Sequence, residues 1–171
     1  DSSKMPHLEL HYTEWSTSFS SRDPVHDSYV SAPFILSKLK RVEGLADSMS
    51  YWTFSDVFEE AGPGPDHFHG GFGLLNLQGL KKPSFFAYKF LNELGDTELE
   101  CDDTDCFACK NDEGIQVLFW DYTCPKQDVP NQEFYARDLP ASPSSPVRLS
   151  IAGLEKGVYA MAVYQVGYRV N

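Results

Sequence analysis

Apolar residues recur along this chain with two alternating periods as far as Gly95 and with a single period beyond it, which limits the folds open to it. Leu8, Leu10 and Tyr12 alternate with His7, Glu9 and His11, the pattern of a strand that ends at Glu14. A Ser-rich polar loop, 16–23, follows. From Asp27 the spacing turns helical through Tyr29, Ala32, Ile35, Leu36, Leu39 and Val42. Asp27 stands where an N-cap belongs, Lys38, Lys40 and Arg41 suit the C-terminal dipole, and Gly44 comes just after. Pro33 predicts a bend in a helix that begins at Asp27. Residues 46–54 read as a second, aromatic-rich strand opening into an acidic stretch, 56–60. A Gly- and Pro-rich loop, 61–73, leads to a helix with Pro83 in its first turn, Phe85 to Leu94 along its length and Gly95 after its end. Strand, helix, strand, helix is the order of βα units in a parallel sheet.

The rest of the chain has no helical period. Residues 114–122, 147–151 and 157–166 read as short strands, separated by turn-rich runs such as 140–146. The boundary falls near 95–101, which gives an α/β unit over 1–97 and an all-β, sandwich-type unit over 98–171.

At 171 residues the chain has room for one ordinary domain or for pieces of two. Its 14 basic and 25 acidic residues give a net charge of −11, which argues against nucleic-acid and anionic-membrane partners. No apolar run approaches the roughly 20 residues of a spanning helix. Asp1 to Lys4 lead into no leader-like apolar core, which says little about secretion; the compartment stays open, with the cytoplasm weakly favoured over secretion. Cys101, Cys106, Cys109 and Cys124 have the order of plant-type iron–sulfur ligands, but Asp102, Asp103 and Asp105 would repel an anionic cluster. Zinc thiolates usually come as paired knuckles. Free thiols, or one incidental disulfide, are therefore expected, with no metal and no cofactor.

Two segments carry chemistry. In His11 to Ser16 a carboxylate, Glu14, stands just past a strand end beside Trp15. In Ser50 to Glu60 an indole, Trp52, precedes the adjacent acids Glu59 and Glu60, the residue types that stack on and hydrogen-bond a pyranose. Alone, Glu14 reads as a solvated loop acid, Trp52 as core and the acidic pair as a turn. His67 and His69 share one face of an extended segment, yet no further ligand completes a metal pattern, so they are expected to pack near the site mouth. Asp56 is open between supporting the site and capping a helix.

These segments resemble glycoside hydrolase family 39, which contains bacterial β-xylosidases and α-L-iduronidases. The similar stretches are HYTEWS (His11 to Ser16), SYWTFSDVFEE (Ser50 to Glu60), FHGGFGLL (Phe68 to Leu75), KPSFFAYKFLNELG (Lys82 to Gly95) and VLFWDYT (Val117 to Thr123). The resemblance is strongest to the xylosidase branch. It implies the last two βα units of a (β/α)8 barrel followed by part of an accessory β-sandwich. It also implies Glu14 as catalytic nucleophile, Trp52 stacking on the sugar, and Glu59 and Glu60 binding its hydroxyls, with no choice made between those two. Retaining hydrolysis needs a second carboxyl about 5–5.5 Å from the first. In that family it lies in an Asn-Glu-Pro motif, which this sequence lacks: Asn92-Glu93-Leu94 falls in a helix and Pro130-Asn131-Gln132 is no substitute. The expectation is thus a piece of a retaining β-xylosidase without its general acid, acting on a β-xyloside or xylo-oligosaccharide. The alternatives are a uronic-acid or exopolysaccharide glycosidase and a non-catalytic carbohydrate-binding module. Two βα units do not close a barrel, so self-association, or pairing with the remainder of a parent chain, is expected.

Overall fold

The computed structural model describes residues 8–58, 61–142 and 145–170. Two parallel strands, β1 (His11–Trp15) and β2 (Ser48–Tyr51), are joined by helix α1 (Ser31–Val42). Helix α2 (Pro83–Asn92) follows β2 after a long connection. A second sheet has the antiparallel order β3 (Thr97–Glu98), β4 (Cys106–Asn111), β5 (Gly114–Phe119). A single helical turn, α3 (Asn131–Phe134), comes after it. The α/β order anticipated for the first part is present, with its strands parallel.

The helices form where their apolar spacing allows one face to be buried. Ala32, Ile35 and Leu36 of α1 meet Ala87 of α2, and Trp120, just past β5, closes the cluster. Trp15, Tyr51, Phe34, Tyr88 and Phe107 pack around it. Ile35 is fully buried, and a side chain of that size contributes about 1.5–3 kcal/mol when buried. One core thus receives side chains from both the α/β part and the antiparallel sheet.

Several local expectations are corrected. α1 starts at Ser31, not Asp27; Pro24–Asp27 form a separate 3-10 turn, capped by the Asp23 carboxylate accepting from the Val25 amide at 3.1 Å. Pro33 is then the third residue of α1, in the first turn, where amides lack an intrahelical partner anyway, so it demands no bend. Residues 46–54 form a strand only over Ser48–Tyr51, because Thr53 and Phe54 pair with Phe72, Leu74 and Leu75 instead. Glu14 lies within β1, one residue before its end. Residues 147–151 and 157–166 form no strands: the pairing after residue 145 is a single bridge between Gly167 and Val170. Val158, Met161, Val163 and Tyr164 are exposed, and alternation without a neighbouring ladder does not make a strand. α3 likewise interrupts a stretch read as all-β; four residues are too few to show a period. All four cysteines are free thiols, and Cys106 and Cys109 are buried in β4.

Candidate active site

β1 and β2 pair His11 with Ser48 and Tyr12 with Met49, but then Trp15 with Tyr51. Two residues of β1, Thr13 and Glu14, therefore span the interval that Ser50 alone fills on β2. Bulges of this kind re-aim a side chain and collect beside active sites. Glu14 is exposed and has no hydrogen-bond or ion-pair partner among the described residues. Just beyond it the Trp52 amide donates to the Trp15 carbonyl at 2.8 Å, so Glu14 and Trp52 come from neighbouring chains at the C-terminal edge of the pair. The Trp52 indole is half-buried, edge-on to Phe58 with centroids 5.1 Å apart, and its peptide bond to Thr53 is cis. Behind the edge Trp15 packs edge-to-face on Tyr51 at 5.5 Å. Glu59 and Glu60 lie outside the described residues.

The chain beyond Trp52 is held from beneath. Thr53 and Phe72, Leu74 and Thr53, and Leu75 and Phe54 exchange backbone hydrogen bonds of 3.0–3.2 Å. Below them Lys82, fully buried, places its ammonium 2.7 Å from Asp27 Oδ1 and 2.7 Å from Asp56 Oδ2, and donates to the Gly71 carbonyl at 2.9 Å. Asp56, also fully buried, accepts from the Gly73 amide at 2.7 Å, and Asp27 accepts from the Gly70 amide at 2.5 Å. Asp56 is therefore the carboxylate of a buried ion cluster rather than a helix cap. Arg22, from the loop after β1, donates to the carbonyls of Ala61, Gly62 and Pro63 at 2.7, 3.0 and 3.2 Å. His26 is buried with its ring nitrogens 2.7 Å from the Gly70 carbonyl and 3.1 Å from that of Ser18. The loops after β1 and β2 are thus laced together by Arg22, His26, Asp27, Asp56 and Lys82.

Arg22, Asp27, His26 and Lys82 escape sequence reasoning because their partners lie tens of residues away. Lys82 did leave one trace: a lysine immediately before a helix, where the macrodipole disfavours a cation. His67 and His69 lie in the same long loop; the His67 carbonyl accepts from Asn76, and His69 Nδ1 lies 3.0 Å from the Asp66 carbonyl. Burial raises the Tyr51 phenol, while the Ser16, Thr17 and Ser84 hydroxyls and the Lys82 charge pull it back down.

Two parallel strands thus present an unpaired carboxylate and an indole at one edge. The chain belongs to glycosyl hydrolases family 39, whose model matches residues 2–163. It is 44% identical over 124 residues to a beta-xylosidase of Geobacillus stearothermophilus, covering 72% of this chain and 25% of the relative. It is 40% identical over 129 residues to a beta-xylosidase of Caldicellulosiruptor saccharolyticus, covering 71% and 26%. Its structure is similar to that of a monomeric beta-xylosidase from Caulobacter crescentus, with TM-score 0.77 and 52% identity over 80% of this chain and 28% of the other. It is also similar to the GH39 enzyme from Xanthomonas axonopodis pv. citri, with TM-score 0.76 and 50% identity over 79% and 27%. The chain spans about a quarter of the length of the curated relatives it matches.

Proposed function

We propose that this chain supplies the nucleophile and one wall of the sugar site of a retaining β-xylosidase, with Glu14 attacking the anomeric carbon to form a glycosyl ester. The observation that carries this reading is the bulge that sets an exposed, unpartnered Glu14 beside Trp52 at the C-terminal edge of two parallel strands. In βα barrels that edge is where catalytic groups stand. A nucleophilic carboxylate must be ionised and unencumbered, and Glu14 has no competing partner among the described residues. Trp52 stacks on the sugar, and Glu59 or Glu60 accepts hydrogen bonds from its hydroxyls. The general acid belongs to sequence outside these 171 residues, so turnover of poor leaving groups by this chain is slow, general acid catalysis being worth about 10²–10⁴-fold. In this reading residues 1–97 are the final two βα units of a (β/α)8 barrel and residues 98–171 belong to an accessory β-sandwich.

A carboxylated substrate is disfavoured by a specific feature. Arg22 is committed to three carbonyls and Lys82 to two carboxylates, so neither of these two cations is left for a uronate. The partner is a neutral carbohydrate, and neither nucleic acid nor membrane is part of the reading. Exposed Leu8 and Leu10, just before β1, and Tyr12 within it support self-association of the isolated chain, read as a mass above the monomer by light scattering.

The test is intact mass after incubation with a dinitrophenyl 2-fluoro-xyloside, whose leaving group needs no general acid. A stable adduct mapping to Glu14 supports nucleophile, retention and sugar together. A folded chain that forms no adduct, and a parent enzyme that binds sugar without turnover, would favour the non-catalytic binding module.

A further inference from the structure

We infer that Lys82 is a positioning residue of the candidate site, holding Trp52 and the chain after it as far as Asp56 in register with the strand that carries Glu14. The inference rests on the proposed function for its catalytic consequence, but its structural part stands apart from it. Lys82 is the N-cap of α2, a position where the helix dipole disfavours a cation, and its ammonium is fully buried. Its three protons match three acceptors: Asp27 from the loop after β1, Asp56 from the loop after β2, and the Gly71 carbonyl. One side chain therefore ties together both loops at the site edge and the start of α2.

The tie reaches Trp52 through a short chain of contacts. The Lys82 amide donates to the Leu74 carbonyl at 2.9 Å, and the Leu74 amide donates to the Thr53 carbonyl at 3.0 Å, one residue past the indole. The Asp56 carboxylate takes the Gly73 amide while its own amide donates to the Leu75 carbonyl at 2.8 Å, which fixes the same pairing from its other end. Gly71 is packed so closely that an added Cβ would lie 2.5 Å from the Asp56 carboxyl carbon, so the segment cannot settle elsewhere without moving the acid. Stability alone does not ask for this cluster, since buried ion networks are commonly replaced by apolar side chains with little loss. What an apolar replacement does not reproduce is three fixed directions from one point.

The test compares the chain with Asp56→Asn and with the double variant Asp56→Asn/Lys82→Met, which leaves Asp27 as the one charge of the cluster, with the Gly70 amide still donating to it. Two readouts are taken: the inactivation constants for the dinitrophenyl 2-fluoro-xyloside, and the fluorine resonances of 5-fluorotryptophan at Trp15, Trp52 and Trp120. The expected result for a folded double variant is a maximal inactivation rate reduced about 10–100-fold, as small misplacements of reacting groups do. The apparent inhibitor affinity stays within about twofold, and only the Trp52 resonance moves or broadens. A folded double variant with the native inactivation rate and an unmoved Trp52 resonance overturns the inference. If the double variant does not fold, Asp56→Asn decides, since it keeps the shape and one ion pair: a displaced Trp52 resonance supports the role and an unchanged one overturns it. If the unaltered chain folds yet forms no adduct, the assignment of Glu14 passes to the parent enzyme for its test, and the Trp52 resonance alone decides the role of Lys82.

Discussion

The Trp52 amide donates to the Trp15 carbonyl at 2.8 Å, so the two tryptophans lie across the last hydrogen bond between the parallel strands. They have unlike tasks. Trp15 turns inward against Tyr51 and the core, whereas Trp52 remains half-buried at the edge, backed by Phe58.

Replacing Trp52 by alanine should weaken capture of the xyloside while leaving the maximal inactivation rate less affected. Aromatic contacts of this size are worth about 0.5–1.5 kcal/mol, or roughly twofold to tenfold in the apparent inhibitor constant. Trp52→Phe should keep most of that affinity. Titration with the 2-fluoro-xyloside reads both numbers, and an alanine variant with native affinity would remove Trp52 from the sugar wall.

Glu14→Gln should abolish adduct formation, with a loss of at least about a thousandfold, because the amide that replaces the proposed nucleophile carries no charge to attack the anomeric carbon. The same change should move stability by no more than about 0.5 kcal/mol, since the side chain is exposed and makes no ion pair among the described residues. Urea melts alongside the mass measurement separate these effects. A large drop in the melt would mean that Glu14 supports structure instead.

Gly73→Ala should be among the costlier single substitutions. Its Cβ would lie 2.3 Å from the Asp56 amide nitrogen, 2.4 Å from the Ser55 carbonyl carbon and 2.6 Å from the Leu75 oxygen, all of them backbone atoms. Overpacking of this kind costs about 1–3 kcal/mol, and the upper end is expected where no flexible side chain can yield. Gly79→Ala, with φ of 77° and nothing within 4 Å of the new carbon, should lose only about 1 kcal/mol. Equal losses in urea would contradict the described packing at Gly73.

Alkaline pH should destabilise the chain. Burial first, then the hydrogen bond and charge of Cys101, push the Cys106 thiol up to about 12; burial and Cys124 push the Tyr122 phenol up to about 12. Tyr88 is raised in the same direction by burial. In the folded chain these groups keep their protons while the unfolded chain loses them from about pH 8.5 for a thiol and about pH 10 for a phenol. The unfolded state therefore binds fewer protons, and stability falls as pH rises through that window towards about 12. Below it, these groups contribute in full. Urea midpoints at about pH 7 and about pH 10.5 should differ, and Cys106→Ser should reduce the difference.

Much of the fold was legible because it is written locally. α2 begins at Pro83 and ends shortly before Gly95, and the spacing of Ala32, Ile35 and Leu36 gave the buried face of α1. The start of α1 was not legible, because Val30 caps it without a side-chain bond while a better capping residue, Asp27, is used on the Gly70 amide and Lys82. β4 was missed because Cys106, Ala108 and Cys109 are all buried, which breaks strict alternation. At the candidate site, Glu14 and Trp52 were singled out by the family resemblance, since by residue type and position alone they read as a loop acid and a core aromatic. The bulge could not, since register is a property of two strands, and neither could the Lys82 cluster, whose members stand 26 and 55 positions apart in the chain.

The bulge in β1 also makes the position of Glu14 depend on how many residues precede it rather than on which ones. Deleting Thr13 would restore even pairing between Tyr12 and Trp15 while leaving Trp15 its place against Tyr51. Glu14 would then fall directly opposite Ser50, on the regular pleat. Loss of one codon, with no change to any acid, aromatic or core residue, should thus be enough to retire the proposed nucleophile and spare the scaffold.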